Sequence, residues 1–382
     1  MKVHIHKLFE YLLETTESTP EAFVGFSLSR PPQLKDFLAD LDPELSLDWN
    51  GASFLGLPAL REGVIAQANL AGLCTPDNVL ITAGAAEANY LALRQLLTAG
   101  DEIITETPGW PQAAVLARAT GATLVTVPRF EENAWHLDPA DIRAALTPRT
   151  KLIFLSNPNN PTGALLSVQD LQDLTAIAAR NGTWLLIDEV YAGLEWHGPR
   201  APSIAGLYER GITTGSVSKA LGLQGIRTGW MICQSPDLIR DAVILRENSS
   251  EIMNILGEHI AEIALRPARL AAALQTARAE GAANLATLDA FIQAEPRLSW
   301  HPPAAGLIGL ARLHGPTPAS TLAEPFARHL LAPPHKTFLL PGTAYDHPHH
   351  IRVGVGGGAQ ANLAEGLARL ARALAEWHGQ MS

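Results

Sequence analysis

Residues 152–188 read LIFLSNPNNPTGALLSVQDLQDLTAIAARNGTWLLID, and this stretch decides the fold. Leu152-Ile153-Phe154-Leu155 is a short apolar run that ends in a polar loop. Ser167-x-x-Asp170 opens a helix that continues into Leu171 and Leu174, and Asn181-Gly182 closes it with a C-cap signal. Trp184-Leu185-Leu186-Ile187 is the next apolar run, ending at Asp188. Strand, loop, helix, strand is the βα unit of a mostly parallel sheet. The same alternation extends from about residue 75 to about residue 235, through Val79–Thr82, Glu102–Thr105, Thr123–Val127, Ile212–Thr214 and Gly229–Ile232. Seven strands and the helices between them, Ala85–Leu97 among them, predict an α/β fold with a mostly parallel seven-stranded sheet. Open sheets of this kind bind ligands at the carboxyl ends of their strands, so the loops there are where function is to be sought.

Outward from the sheet the pattern changes. A long helical region runs from about Asp237 to Ala294 with a break near Pro267, followed by short strands at Leu298–Trp300, Leu307–Leu310, Thr337–Leu340 and His350–Val353. This is the signature of a smaller α+β domain. The first 45 or so residues hold one helix and the loop Ser29-Arg30-Pro31-Pro32, too little for a domain, and are expected to pack on the C-terminal part. The expected division is a large α/β domain over 46–262 and a small α+β domain made of 1–45 and 263–382.

Composition narrows the functional classes. The 382 residues are 47% hydrophobic and 17% charged, with a formal net charge of -10. The excess of 38 acidic over 28 basic side chains creates no field that would gather a phosphate backbone, so nucleic acid is not an expected partner. Two distant cysteines, Cys74 and Cys233, fit a reducing cytosol better than a disulfide scaffold or a zinc site. Acidic residues interrupt the first apolar stretch, and no run of about 18 apolar residues occurs, so neither export nor a membrane span is expected. Lysine is scarce: Lys2, Lys7, Lys35, Lys151, Lys219 and Lys336 are the whole set.

Four strand-end loops carry unusual residues. Ala83-Gly84-Ala85-Ala86-Glu87 turns from a strand into a helix with small residues that let backbone N–H groups approach an anion, although taken alone such a turn is more often plain packing. In Ser156-Asn157-Pro158-Asn159-Asn160-Pro161-Thr162-Gly163 two prolines restrict the residues before them, which presents Asn160 as a hydrogen-bonding amide at a fixed angle. Asp188-Glu189-Val190-Tyr191 places a carboxylate at the end of an apolar strand, where burial demands a cation or hydrogen-bond donors; a structural salt bridge is the plainer alternative. Gly215-Ser216-Val217-Ser218-Lys219, followed by Arg227, sets one of the rare lysines among hydroxyls and glycines, where an amine becomes a Schiff-base nucleophile. Amides, hydroxyls and Arg227 for a phosphate, Lys219 for an aldehyde and Asp188 for a protonated ring nitrogen together describe a site for pyridoxal 5′-phosphate.

On these motifs the chain resembles the class I/II aminotransferases of the fold-type-I pyridoxal-phosphate enzymes, in order from about Leu55 to Arg352. The resemblance implies that Lys219 forms the Schiff base and shuttles the proton, that Asp188 faces the pyridine nitrogen, and that Tyr191 and Asn160 bond the ring's 3-oxygen. It implies that Ser216, Ser218, Arg227 and the backbone at Ala85 and Ala86 hold the phosphate, and that Trp110 stacks on the ring. It further implies that Arg352 forks onto the substrate α-carboxylate and that Asn160 also contacts the substrate. The implied activity is amino transfer between an amino acid and a 2-oxo acid in a cytoplasmic homodimer with active sites near the subunit interface. A lyase or cyclase on the same fold is the alternative, because the same anchors serve elimination, replacement and ring closure. A ligand-sensing regulator domain is a third reading, disfavoured by an N-terminal segment too short and too acidic for a helix-turn-helix module.

The chain also departs from the family pattern. Many relatives carry a tyrosine where Gly51 stands, five residues before Gly56, and Asn50 or Ser53 are the polar residues nearby. The phosphate turn lacks its usual hydroxyl, and Phe26-Ser27-Leu28-Ser29 matches only loosely. Gly354-Val355-Gly356-Gly357-Gly358-Ala359 satisfies a dinucleotide fingerprint but leaves too little chain for a second strand, and His347, His349 and His350 are read as a polar loop rather than metal ligands. No metal is expected.

Overall fold

The computed structural model describes residues 3–16, 18–48, 53–357 and 362–381. The chain starts with α1 (Lys7–Thr16) and a two-residue strand, β1 (Ala22–Phe23). There follow α2 (Pro58–Gln67), β2 (Val79–Thr82), α3 (Ala85–Leu96), β3 (Glu102–Thr107), α4 (Gln112–Thr120) and β4 (Thr123–Pro128). The chain continues through α5 (Pro139–Ala145), β5 (Thr150–Ser156), α6 (Val168–Asn181), β6 (Trp184–Asp188), β7 (Gly211–Ser216) and β8 (Gly229–Cys233). These strands form one seven-stranded sheet in the order β2-β8-β7-β6-β5-β3-β4, parallel except for β8, which runs antiparallel to both neighbours. Each of the seven predicted strands is present; β2 has the predicted bounds and the others are one to three residues longer, as where the polar Thr150 and Ser156 join β5. The predicted start of α6 is a capping box: Ser167 Oγ accepts the Asp170 N–H at 3.1 Å and Asp170 accepts the Ser167 N–H at 2.7 Å.

Apolar side chains on both faces hold this sheet between helices. Leu152, Phe154 and Leu186 pack with α3 and α4 residues such as Leu91 and Leu116. Ile153, Leu155 and Ile187 pack on the opposite side with Leu171 and Leu174 of α6. Alternation along single strands thus feeds two cores, which is why these runs are apolar at every position.

The predicted helical region after residue 237 is three helices, α7 (Pro236–Arg246), α8 (Ile255–Leu265) and α9 (Pro267–Ala294). The expected break falls at Pro267, at the N1 position of α9. An additional break precedes α8, where the Asn254 side chain accepts the Gly257 N–H and starts a new helix. Beyond these lie β9 (Leu298–Trp300), β10 (Ile308–Leu313), α10 (Ala323–Leu331), β11 (Thr337–Phe338), β12 (Leu340–Pro341), β13 (His350–Gly354) and α11 (Leu363–Met381). A four-stranded antiparallel sheet has the order β12-β13-β10-β9. The run Thr337–Leu340, read as one strand, is two: β11 pairs in parallel with β1, and β12 pairs with β13. Through β1 the N-terminal segment adds to the C-terminal part of the chain. Leu8, Tyr11 and Val24 join Leu339, Phe326 and Leu370 in one core.

Candidate active site

The parallel strands, together with β2, end at one edge of the sheet, and their loops converge there. The turn after β2 uses Gly84 at φ 88°, a conformation open to glycine, and a Cβ at that position would lie 2.6 Å from the Arg227 guanidinium. Gly229, on the adjoining β8, is needed for the same reason of space: a Cβ there would come within 2.5 Å of the Gly84 carbonyl carbon and 2.6 Å of the Ala85 nitrogen. The backbone at the start of α3 and the Arg227 guanidinium are thereby brought side by side. The Arg227 guanidinium donates to the Ala83 carbonyl at 3.2 Å and to that of Gln224 at 3.1 Å. A helix N-terminus and an arginine together favour an anion.

Asp188 ends β6 and is 5% exposed. Asn89 Nδ2 donates to its Oδ2 at 2.8 Å, and the Val190 N–H donates to its Oδ1 at 3.1 Å. Burial pushes its pKa up to about 6, against the pull of those two hydrogen bonds. Asn89 is itself fixed, accepting from Thr214 Oγ1 at 2.7 Å and donating to Gln112 Oε1 at 3.2 Å. The carboxylate is therefore held in place, and among the described residues it forms no salt bridge: Arg200 pairs with its neighbour Glu189 instead, and Lys219 is the positive charge that acts on it.

Tyr191 follows on the same loop, buried, and its Oη has no hydrogen-bond partner among the described residues. Lys219 Nζ stands 5.8 Å from the centre of the Tyr191 ring. Asn160 comes from the loop after β5, whose Asn157–Pro158 and Asn160–Pro161 peptide bonds are both cis. Three interactions shape that loop. Asn157 Oδ1 accepts the Leu166 N–H at 2.9 Å, Asn159 Oδ1 accepts the Thr162 hydroxyl at 2.6 Å, and Ser156 Oγ accepts the Asn160 N–H at 3.3 Å. Ser156 is anchored in turn by Glu106, whose Oε1 accepts its N–H and its hydroxyl, each at 2.8 Å. Arg129 Nε donates to the other oxygen of Glu106 at 2.8 Å, forming an ion pair buried under β3 and β5.

Arg352, from β13, enters from the opposite side. Its guanidinium donates to Tyr345 Oη at 3.1 Å, to the Gly25 carbonyl at 3.2 Å, and to Asn160 Oδ1 and Ser27 Oγ, each at 3.5 Å. The two longest of these are weak and leave the fork free to turn to a stronger acceptor. Ala85, Ala86, Trp110, Asn160, Asp188, Tyr191, Ser216, Ser218, Lys219, Arg227 and Arg352 all line one cavity of about 440 Å³. Gly25 to Leu28 of the N-terminal segment complete its wall.

Some features are invisible in the sequence or serve other roles than their motif suggests. Asn89, Gln112 and Glu106 act on the site through contacts across many residues, Tyr345 meets Arg352 from seven positions away, and none stands in a motif. Asn50, Gly51, Gly358 and Ala359 lie outside the described residues, while Ser53 Oγ accepts the Leu55 N–H at 3.0 Å. The glycines of the dinucleotide-like motif meet the N-terminal segment: a Cβ on Gly354 would collide with the Phe26 carbonyl oxygen, and one on Gly356 with that of Leu28. His347 and His350 pack edge-on against Trp135. Trp230 and Cys233 are buried strand residues, as expected. No helix among the described residues is long and apolar enough to cross a membrane.

Comparison with known proteins agrees with this geometry. The family model for aminotransferase class I and II matches residues 52–370. An aspartate aminotransferase from Musicola paradisiaca is 27% identical over 61% of this chain and 56% of its own, so the chain aligns with just over half of that relative's length. A PLP-dependent aminotransferase from Streptococcus suis superposes with a TM-score of 0.88 at 29% identity over 99% of both chains. The PLP-dependent cyclase OrfR does so with a TM-score of 0.85 at 27% identity over 98% of both. The fold is the α/β architecture of these enzymes, and the chain belongs to the class I and II aminotransferase family.

Proposed function

We propose that the protein is a pyridoxal-5′-phosphate-dependent aminotransferase that moves an amino group between an amino acid and a 2-oxo acid. The observation that carries this reading is the convergence, in one cavity, of Lys219 with a buried carboxylate, Asp188, and a buried arginine fork, Arg352. The cofactor fits what the cavity offers: a helix start and Arg227 for its phosphate, an unpaired phenol at Tyr191, and a carboxylate whose burial calls for a cation. In this reading Ser216, Ser218, Arg227 and the Ala85–Ala86 backbone hold the phosphate. Trp110 would cover the ring, Asp188 would keep the ring nitrogen protonated, and Tyr191 and Asn160 would bond its 3-oxygen. When bound, the cofactor supplies an aldehyde that takes the amino group and a ring that accepts the electrons left at the substrate α-carbon. Arg352 fixes the α-carboxylate through its planar fork, and Asn160 lies beside it. Lys219 Nζ takes the α-proton, at a site where Asn89 holds the opposing carboxylate still.

A second reading, a lyase or cyclase on an amino acid, draws support from the likeness to OrfR. Transamination is preferred because the charged side chains described in the cavity are Asp188, Lys219, Arg227 and Arg352, with no further acid or base to serve a leaving group or a ring-closing nucleophile. We also infer a homodimer in the cytoplasm, with a large domain over 46–262 and a small domain made of 1–45 and 263–382. The deciding experiment adds one amino donor without an acceptor and identifies the form of the released cofactor. Conversion to the pyridoxamine form supports transamination, and retention of the aldehyde with loss of ammonia supports the second reading.

A further inference from the structure

We infer that the side-chain subsite of this cavity takes an uncharged, apolar amino acid, aliphatic or aromatic, and rejects both acidic and guanidinium side chains. The inference rests on the aminotransferase reading, which places the substrate α-carboxylate at Arg352. Every charged side chain described in the cavity is then already engaged, Lys219 and Asp188 in the reaction, Arg227 at the phosphate and Arg352 at the α-carboxylate. Among the described residues of this protomer that line the cavity, no cation remains to pair with a second carboxylate and no carboxylate remains to pair with a guanidinium.

Six apolar side chains contribute to the rest of the wall. Leu8 and Leu12 come from α1, Phe26 from the N-terminal segment, Trp110 from the loop after β3, and Phe338 and Leu340 from the small sheets. Leu12, Phe26, Trp110 and Phe338 are half-buried, so they present carbon surface to the cavity rather than losing it in the core. The helix that carries Leu8 and Leu12 is pinned: Tyr11 is 4% exposed and donates to the Leu339 carbonyl at 3.1 Å, and Thr15 donates to the Leu12 carbonyl at 2.9 Å. Phe9, on its outer side, meets Trp110 edge-on at 6.2 Å. A branched or aromatic side chain placed here exchanges water for carbon, whereas a charged one loses its hydration with nothing to replace it. One methylene in such a pocket changes discrimination by about 10- to 200-fold, so a whole side chain gives at least about tenfold preference.

The test uses the cofactor-loaded enzyme and acids that lack the amino group, so that binding is read apart from turnover. Dissociation constants for 4-methylvalerate, 3-phenylpropionate, succinate and 5-guanidinovalerate are measured by titration calorimetry. The two apolar acids are expected to bind at least about tenfold more tightly than either charged one. Equal or tighter binding of succinate or guanidinovalerate overturns the inference. In Leu12→Arg, succinate should gain about tenfold and 4-methylvalerate should lose affinity; unchanged constants for both would also overturn it. If Leu12→Arg does not fold, the wild-type series decides alone. Mass spectrometry of the cofactor after addition of leucine, phenylalanine, aspartate or arginine separates the two levels. Conversion by a donor without apolar preference in binding removes the subsite inference and keeps the transaminase. Apolar preference without conversion by any donor does the reverse.

Discussion

Replacing Asp188 with asparagine should uncouple cofactor binding from pH in a way the structure makes quantitative. Burial raises the Asp188 pKa from 3.8 to about 6 in the cofactor-free protein. The folded state therefore prefers the protonated acid, and the stability that preference lends is fully present below pH 3.8 and lost as the pH rises through about 6. The loss amounts to about 2 pKa units, or about 3 kcal/mol as an upper figure. A cation facing the carboxylate reverses the preference, so binding a protonated ring nitrogen must drive off the Asp188 proton wherever that proton is present. From about pH 5 to about pH 7 this linkage strengthens cofactor affinity by about tenfold for a group of pKa about 6. The cofactor's phosphate titrates in the same range, with a second pKa of about 6. The quantity to read is therefore the ratio of wild-type to Asp188→Asn affinity at each pH, obtained by fluorescence titration of cofactor-free protein. That ratio should rise about tenfold across the interval, and the cofactor-free variant should be more stable than wild type at neutral pH. A ratio that stays flat would refute the pairing of Asp188 with a cationic ring.

Lys219→Ala should abolish the visible absorption of the purified protein incubated with cofactor and its amino-transfer activity, read by spectrophotometry and a coupled assay; a colourless wild type would defeat the assignment. Arg352→Ala should weaken amino-acid binding by about 3 kcal/mol, roughly 100-fold, with cofactor affinity almost unchanged, and Arg352→Lys should restore little of it. Gly229→Ala places a Cβ 2.6 Å from the Ala85 nitrogen and should displace the start of α3, lowering cofactor affinity at least about tenfold by titration. Arg129→Met leaves the Glu106 charge buried and unpaired, which should cost about 3–5 kcal/mol in urea denaturation and loosen Ser156 and Asn160 with it.

The sequence is most readable where local chemistry repeats. Apolar runs such as Leu152–Leu155 and Trp184–Ile187 mark strands covered on both faces, and the Ser167 and Asn181-Gly182 signals bound a helix with local hydrogen bonds. Many of the residues that line the cavity, such as Asn160, Asp188 and Ser216, stand at or just past the ends of sheet strands, where fold class alone predicts a ligand, and the specific motifs supply their identities. What escapes are residues that act at a distance in sequence. Asn89 meets Asp188 across 99 positions, and Glu106 meets Ser156 across 50. Each reads locally as an ordinary helix or strand residue. The division of Thr337–Leu340 into two strands escapes for a related reason: its two halves answer to different partners, β1 and β13, that only the folded chain brings near.

Amino transfer in this cavity leaves a chemical record that a single turnover can display. The cofactor-loaded enzyme is mixed with one amino donor and no acceptor, and the released cofactor and the organic product are weighed by mass spectrometry. One equivalent of pyridoxamine 5′-phosphate and one of the matching 2-oxo acid are expected. Recovery of the aldehyde form together with ammonia or a cyclised product would contradict amino transfer.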